Sequence, residues 1–417
     1  MSTTQQQSGR PAQKRRTTLW RNRDYLLLWG GQAISSIGGG ISQLAFPFLL
    51  LAITGSPLAA AIAGALNAFP RVFIVLFAGA LVDRWNRKYV MIICDIGRAC
   101  ALGSIPIAMA LHHITVWQLY LCALIEGILV VFFSVAHASS LGQVVSTEQL
   151  SFAMAQEELV EGATDLIGPA IAGPLFALSH LLPFLSDAIS YVVSLVSLFL
   201  IRTPFQTPRV QQHRHLLLEI RDGLRWMWQQ PVLRTMNLLN VPMALVTPGE
   251  TLLIVVLGEQ NHISTSIITI VYACGGLGAI MGTLVAPYTT RWLNVGQSII
   301  LTRWAFALLW LGYLIAHQPL LLGLVQFSIG FMDPLEDIAY FSYRLAITPD
   351  ELRGRVISVG RIFPGISNPI GQILTGLLLQ YQNSAVTVIA GSLIMALVAT
   401  GFMLEPHVRH ARMPVSA

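Results

Sequence analysis

Residues 79–88 read GALVDRWNRK. The twenty residues before them are apolar but for Asn67 and a single charge, Arg71, and then three cations, Arg84, Arg87 and Lys88, gather around one carboxylate, Asp83. The whole chain shares this contrast. Of its 417 residues, 54% are hydrophobic and only 11% charged, and the mean hydropathy is +0.65, whereas soluble domains carry about 25% charged residues. The chain therefore reads as an all-α integral membrane protein. Its four cysteines, Cys94, Cys100, Cys122 and Cys274, lie in apolar stretches without metal-ligand spacing, so neither a disulfide framework nor a metal site is expected. No removable signal peptide is read at the N-terminus.

A bilayer core about 30 Å thick needs about 20 apolar residues per helix. On that ruler twelve spans are expected, near 25–53, 58–82, 89–111, 115–145, 152–179, 182–202, 234–258, 264–289, 296–316, 320–346, 353–381 and 384–404. They divide the chain into a basic tail (1–24), a six-helix half (25–202), a linker (203–233), a second six-helix half (234–404) and a short tail (405–417). Within the linker, residues 215–230 space Leu, Ile and Trp at helical intervals against Arg and Glu. Two readings stand there: a solvated connection, or an amphipathic helix at the membrane surface with Trp226 and Trp228 at headgroup level. Every one of the 25 Lys and Arg residues falls in a span, a tail or the loops of one side. Cations near span ends stay cytoplasmic, so both termini are expected in the cytoplasm.

The two halves look duplicated. GALVDR (79–84) aligns with GTLVAP (282–287) and IGPAIAGPL (167–175) with IGQILTGLL (370–378), each 203 residues apart, while STEQL (146–150) and TPDEL (348–352) differ by 202. Agreeing offsets in separate spans point to a parallel internal repeat, a carrier architecture.

GALVDRWNRK resembles the loop signature between the second and third helices of the major facilitator superfamily, with Asn86 where glycine is usual; Asn tolerates a left-handed turn next best. TDLIGPAIAG (164–173) resembles an antiporter-associated pattern through Gly168, Pro169 and Gly173, with Thr164 and Ala172 replacing two glycines. Further stretches, LVDRWNRKYVMIICDIGRA (81–99), STEQLSFAMAQ (146–156), FLSDAISYVVSL (184–195) and RGRVISV (353–359), resemble the drug-proton antiporters that include macrolide-efflux and enterobactin-exporter-like proteins. The resemblance implies the major facilitator fold, a rocking carrier, and a loop that latches the halves against the helix beginning at ELRGRV. For that loop, Gly79 allows close helix approach, and Asp83 can meet a helix N-terminus and Arg87. The plainer reading is that Arg84, Arg87 and Lys88 set topology alone.

Ionisable groups inside the spans are the sharpest functional clue, since each is costly in hydrocarbon unless it faces protein or water. In the tenth span Asp333, Asp337, Tyr340 and Arg344 recur on one helical face, with Glu336 beside them and Pro334 loosening the helix. Glu126 lies near mid-depth of the fourth span, and the first span offers Gln32. Helices one, four, seven and ten line the cavity in the fold that the resemblance implies, so Glu126 and Asp333 are expected to face cargo and one of them to exchange protons, Asp333 first. Glu250, after the break TPG, lines the cavity or marks its outer mouth. Glu161, Asp165 and Asp187 are functional groups or structural acceptors that pair with Arg or cap broken backbone, and Glu157 and Glu158 are merely solvated. Arg71, Arg98, Arg303 and Arg361 each need a carboxylate, and Asp95, three residues before Arg98, is the expected partner on its helix.

No G-x-S-x-G, H-E-x-x-H or Walker loop occurs, so an enzyme or a primary pump is not expected, nor a cofactor or a nucleic-acid partner. The expectation is a monomeric exporter of amphiphilic small molecules in the cytoplasmic membrane, coupled to protons. Buried acids outnumber buried Arg residues, which favours cationic cargo. A siderophore exporter and a lysophospholipid flippase are the nearest rivals, and a non-transporting receptor or scaffold is the rival of another class.

Overall fold

The computed structural model describes residues 19–146, 149–205, 216–349 and 352–411. Most of the basic tail, much of the linker, Glu351 of ELRGRV and residues 412–417 lie outside that range, as does the side chain of Arg361. Every regular element among the described residues is helical. The first half comprises α1 (Arg23–Thr54), α2 (Pro57–Val82), α3 (Arg87–Ala110), α4 (Val116–Val144), α5 (Leu150–Leu178) and α6 (Leu182–Leu200). After the linker helix α7 (Leu216–Gln229) come α8 (Pro231–Val246), α9 (Glu250–Gln260), α10 (Thr265–Trp292), α11 (Val295–Leu311), α12 (Pro319–Ile347), α13 (Arg353–Tyr381), α14 (Ser384–Leu404) and the short α15 (Pro406–Arg409).

The polar punctuation between spans works as helix caps. Asn22, Ser56, Asn86, Thr115 and Asn383 each accept a backbone N–H at the start of α1, α2, α3, α4 and α14, satisfying donors that hydrocarbon cannot. Gly55 ends α1 in the left-handed conformation, φ 63°. The seventh span is two helices, α8 and α9, joined by one tight turn at Thr247–Gly249, where Pro248 removes a backbone donor. A Cβ on Gly249 would lie 2.0 Å from the Thr375 hydroxyl, so the break is also where α13 comes closest.

Ten of the spans are long and apolar enough to cross a membrane by length and composition. The two others, α5 and α12, are each 29 residues long but carry Glu157, Glu158, Glu161 and Asp165, and Asp333, Glu336, Asp337 and Arg344. Charge, not length, sets them apart.

Two helix pairs make most of the contact between the halves, α2 with α13 and α5 with α10, and α9 also touches α1 and α2. A Cβ on Gly376 of α13 would meet Ala61 of α2, and one on Gly173 of α5 would meet Ser266 and Thr269 of α10; small residues permit both approaches. Among the described residues the core is shared at one end. At the face away from the termini, Phe48, Leu51, Phe176 and Phe184 of the first half form a single buried cluster with Leu252–Leu257 and Ile268 of the second. At the face bearing the termini, the first half has its own cluster around Tyr25, Met91 and Phe133, and the second half has two, around Met236 and Phe402 and around Met227 and Val359. Among the described residues the buried core therefore bridges the halves at the far face and stays within each half at the terminal face. The linker forms the amphipathic helix that the pattern allowed, but Met227 is buried against Val356 and Val359 of α13. Leu224 and Trp226 pack beside it, while Trp228 stays 45% exposed.

Candidate functional site

The charged corner ties three helices together. Asn86 caps α3 by accepting from the Lys88 N–H at 3.0 Å. Arg87 donates to the Ser139 carbonyl of α4 at 2.9 Å, and Lys88 to the Ile201 carbonyl at the end of α6 at 2.6 Å. Cations thereby meet carbonyls near helix C-termini, where the helix dipole is negative. Asp83 accepts from Arg87 at 3.2 Å and is otherwise open, its side chain 67% exposed. A Cβ on Gly79 would meet nothing within 4 Å. The expected contact of Asp83 with Arg87 is present, whereas Asp83 has no further hydrogen bond among the described residues.

The antiporter-like stretch is a packing device. A Cβ on Gly168 would lie 2.9 Å from the Gly40 backbone of α1, and Gly173 faces α10, so α5 is wedged between the two. Pro169 and Pro174 both lie inside α5.

Deeper in each half sits one ion pair between its third and fourth spans. In the first half Arg98 of α3 grips one carboxylate oxygen of Glu126 of α4 with two donors, at 2.8 and 2.6 Å. Its guanidinium also donates to the Tyr191 hydroxyl of α6 at 2.6 Å and lies 4.1 Å from that ring's centroid. Asp187, fully buried, accepts from Ser42 of α1 and from Ser190 at 3.2 Å. In the second half Arg303 of α11 pairs with Glu336 of α12; it also donates to Asn240 of α8 at 2.7 Å, while Thr302 donates to Glu336 at 3.2 Å.

These contacts correct one expected partnership. Arg98 pairs with Glu126 across two helices and not with Asp95 on its own. Asp95 is fully buried toward α6 with both oxygens outside hydrogen-bonding geometry, the Ser194 hydroxyl beside it. A guanidinium gains more from a two-donor, charge-assisted contact with a flat aromatic beneath it than from an i,i+3 neighbour. Glu126 and Glu336, expected in the cavity, are held by arginines in the walls.

Other acids have no such partner. Asp333 and Asp337 on α12 and Asp165 on α5 are exposed although they sit at mid-span, and none has a hydrogen bond or an ion pair among the described residues. A carboxylate at mid-span is costly against hydrocarbon, and Asp165 and Asp333 both lie near Tyr272 of α10, which points them toward the space between the halves. Farther along the same face Arg344 stacks over Tyr340 and Phe341 at 5.1 and 5.2 Å, so only the first part of the stripe is free. Glu250, at the start of α9, accepts from the buried Tyr313 hydroxyl at 2.6 Å, and Gln326 lies 2.6 Å from the same oxygen. Glu250, Asp165 and Asp333 converge within electrostatic reach of Tyr272 of α10, whose hydroxyl is 3.3 Å from Thr251. Gln32, half-buried, donates to Ser36 within α1 at 3.1 Å. Glu161 is exposed on α5 near Glu157, and Glu157 lies 3.9 Å from His137.

Arg71 departs from expectation as well. It is exposed, within electrostatic reach of Glu126 and Arg98, and forms no ion pair among the described residues. The sequence reading passed over Tyr191, Tyr272, Tyr313 and Asn240. Tyr191 was within reach, one helical turn after Asp187 on the same face; nothing in the pattern marked the others.

The superfamily model "Major Facilitator Superfamily" matches residues 28–363. The chain is 26% identical over 399 residues to the multidrug efflux pump Tap of Mycolicibacterium fortuitum, covering 92% of this chain and 96% of that protein. It is likewise 26% identical over 371 residues to macrolide efflux protein A of Streptococcus pyogenes, covering 86% and 89%. Among solved structures it resembles the nucleoside transporter NupG, with a TM-score of 0.76 over 92% of this chain and 98% of that one at 13% identity. It also resembles a bacterial homologue of the iron transporter ferroportin in an inward-facing state, with a TM-score of 0.74 over 93% and 99% at 17% identity. The twelve-span bundle, the duplicated halves and the match along most of the length agree: this multi-pass membrane protein belongs to the major facilitator superfamily of transporters.

Proposed function

We propose that the protein exports amphiphilic small molecules across the cytoplasmic membrane by alternating access, exchanging cargo for protons at Asp333. The terminal face, where the buried core stays within each half, is the cytoplasmic one, and cargo enters there. The cations at that face support this orientation, which impermeant thiol labelling tests: a cysteine at His113 should react from outside the cell and one at Asn86 only after permeabilisation, and the reverse would overturn it.

The observation that carries the coupling is the division among mid-span acids. Glu126 and Glu336 are paired with guanidinium groups, whereas Asp333 is exposed at mid-span and forms no ion pair among the described residues. A carboxylate without a fixed counter-ion binds either a proton or the positive part of a cargo, and that competition is what an antiporter needs. Pro334 leaves the backbone beside it one donor short, which admits water. Glu250 and Asp165, near the same tyrosine, extend the acidic wall. The efflux pumps to which the chain is similar support outward transport of drug-like molecules, and the bundle acts as a monomer in the bilayer. In proteoliposomes Asp333→Asn should abolish uptake driven by a proton gradient while cargo exchange without a gradient persists. Concentration of cargo by the variant would sink the role of Asp333, and loss of exchange as well would make it a cargo or folding residue instead.

A further inference from the structure

Four positions on α2 locate Arg71 in the bundle. Asn67, one turn earlier, donates to the Ala123 carbonyl of α4 at 3.3 Å, and its own carbonyl lies where a Cβ on Gly127 would clash. Gly64 faces Gln372 of α13, and Val72 lies 3.4 Å from where a Cβ on Gly365 of α13 would be. At 100° per residue Arg71 falls between these two contact faces, on the strip of α2 that looks into the seam between the first half and the second. Val75, one turn on, is 43% exposed. The strip is therefore open to the space between the halves.

A guanidinium stays charged at every accessible pH, and it is strongly disfavoured in a span unless it is hydrated or paired. The one nearby acid is already taken, because Glu126 receives Arg98 through two donors and the Tyr191 hydroxyl through a third on a single oxygen. Its other oxygen is buried, without a partner, and Arg71 does not reach it. Arg98 and Arg303 are spent within the walls, so Arg71 offers its fork of donors to whatever fills the cavity.

We propose that Arg71 is a cargo-binding residue that recognises an anionic group, a carboxylate or a phosphodiester, on the amphiphile. With Asp333 and Asp165 open on the facing elements, a cargo bearing both an anionic and a cationic group satisfies both walls, and cargo selection is broader than the acids alone imply. The inference rests on the exporter reading for the identity of the cavity, but its test measures binding and needs no transport.

Three twelve-carbon ligands of different head group separate the cases: dodecyltrimethylammonium, lauroyl sarcosinate and dodecylphosphocholine, each titrated against the full-length protein in a neutral maltoside detergent with tryptophan fluorescence as readout. Arg71→Gln should weaken at least one of the two ligands that carry an anionic group by about tenfold or more, the worth of a charge-assisted fork, and leave the trimethylammonium ligand within about twofold. The arm that falls further names the source, a free carboxylate or a phospholipid-type head group. Arg71→Lys keeps the charge but not the fork and should fall between Arg71→Gln and the unaltered protein. Equal affinities for all three ligands in Arg71→Gln and the unaltered protein would overturn the proposal, and so would parallel loss of all three in both variants, which would make Arg71 structural. Failure of proton coupling at Asp333 would leave these affinities untouched, so the two readings fail separately.

Discussion

The two halves carry the same strap and different cavities. In each, an arginine on the third span holds a glutamate on the fourth: Arg98 with Glu126, and Arg303 with Glu336. Arg303 follows Arg98 by 205 residues, near the 203-residue offset of the sequence repeat, whereas Glu336 follows Glu126 by 210, about two helical turns beyond it. The difference lies on the same helices, a turn away. Where α12 has Asp333 and Asp337 three before and one after its glutamate, α4 has Ala123 and Gly127. Gly127 is pressed against the α2 backbone, a Cβ there lying 2.2 Å from the Asn67 carbonyl, so α4 has no room for acids at those positions. The arginine–glutamate strap thus recurs in both halves, whereas the flanking acids occur in the second half alone.

The largest expected effect tests whether the straps are equivalent. Arg98→Met and Arg303→Met each leave a carboxylate in the wall without its cation, and each should cost about 3–5 kcal/mol of stability. Pairing them with Glu126→Gln and Glu336→Gln should recover a large part of that loss, since the uncompensated charge goes too. Thermal unfolding in detergent reads both outcomes. Recovery in one half only would mean that the duplicated pairs no longer share a role.

Smaller effects separate the two motif stretches. Gly168→Ala places a methyl group 2.9 Å from the Gly40 backbone, a clash that should cost about 1–3 kcal/mol. Gly79→Ala meets open space and should leave stability unchanged. Asp83→Asn, at an exposed ion pair, should cost about 1 kcal/mol or less yet slow transport if the loop latches the halves when the terminal face closes. Normal transport by Asp83→Asn would leave that loop to topology and to the capping of α4 and α6 by Arg87 and Lys88.

Sequence periodicity was enough for the span count and the breaks, because hydrocarbon admits backbone only as helices of about 20 residues whose ends must be capped. Ser56 and the TPG break, readable as punctuation, became a helix cap and a helix division, whereas Asn86, read as a left-handed turn, is extended at φ −70° and caps α3. The acids of α12 were legible too, since charge in a span is rare enough to stand out. Which of those acids is free was not. Glu126 and Asp333 look alike in sequence, each a mid-span carboxylate, yet one is gripped by Arg98 and the other open. Arg98 looked bound to Asp95 and found Glu126 instead, and Arg71 looked as though it needed a carboxylate and pairs with none among the described residues. Partners across helices depend on how each helix is rotated about its axis and how closely glycines such as Gly127 and Gly168 let neighbours approach. Local pattern fixes which face of a helix a residue shares, whereas packing between helices decides what that face meets.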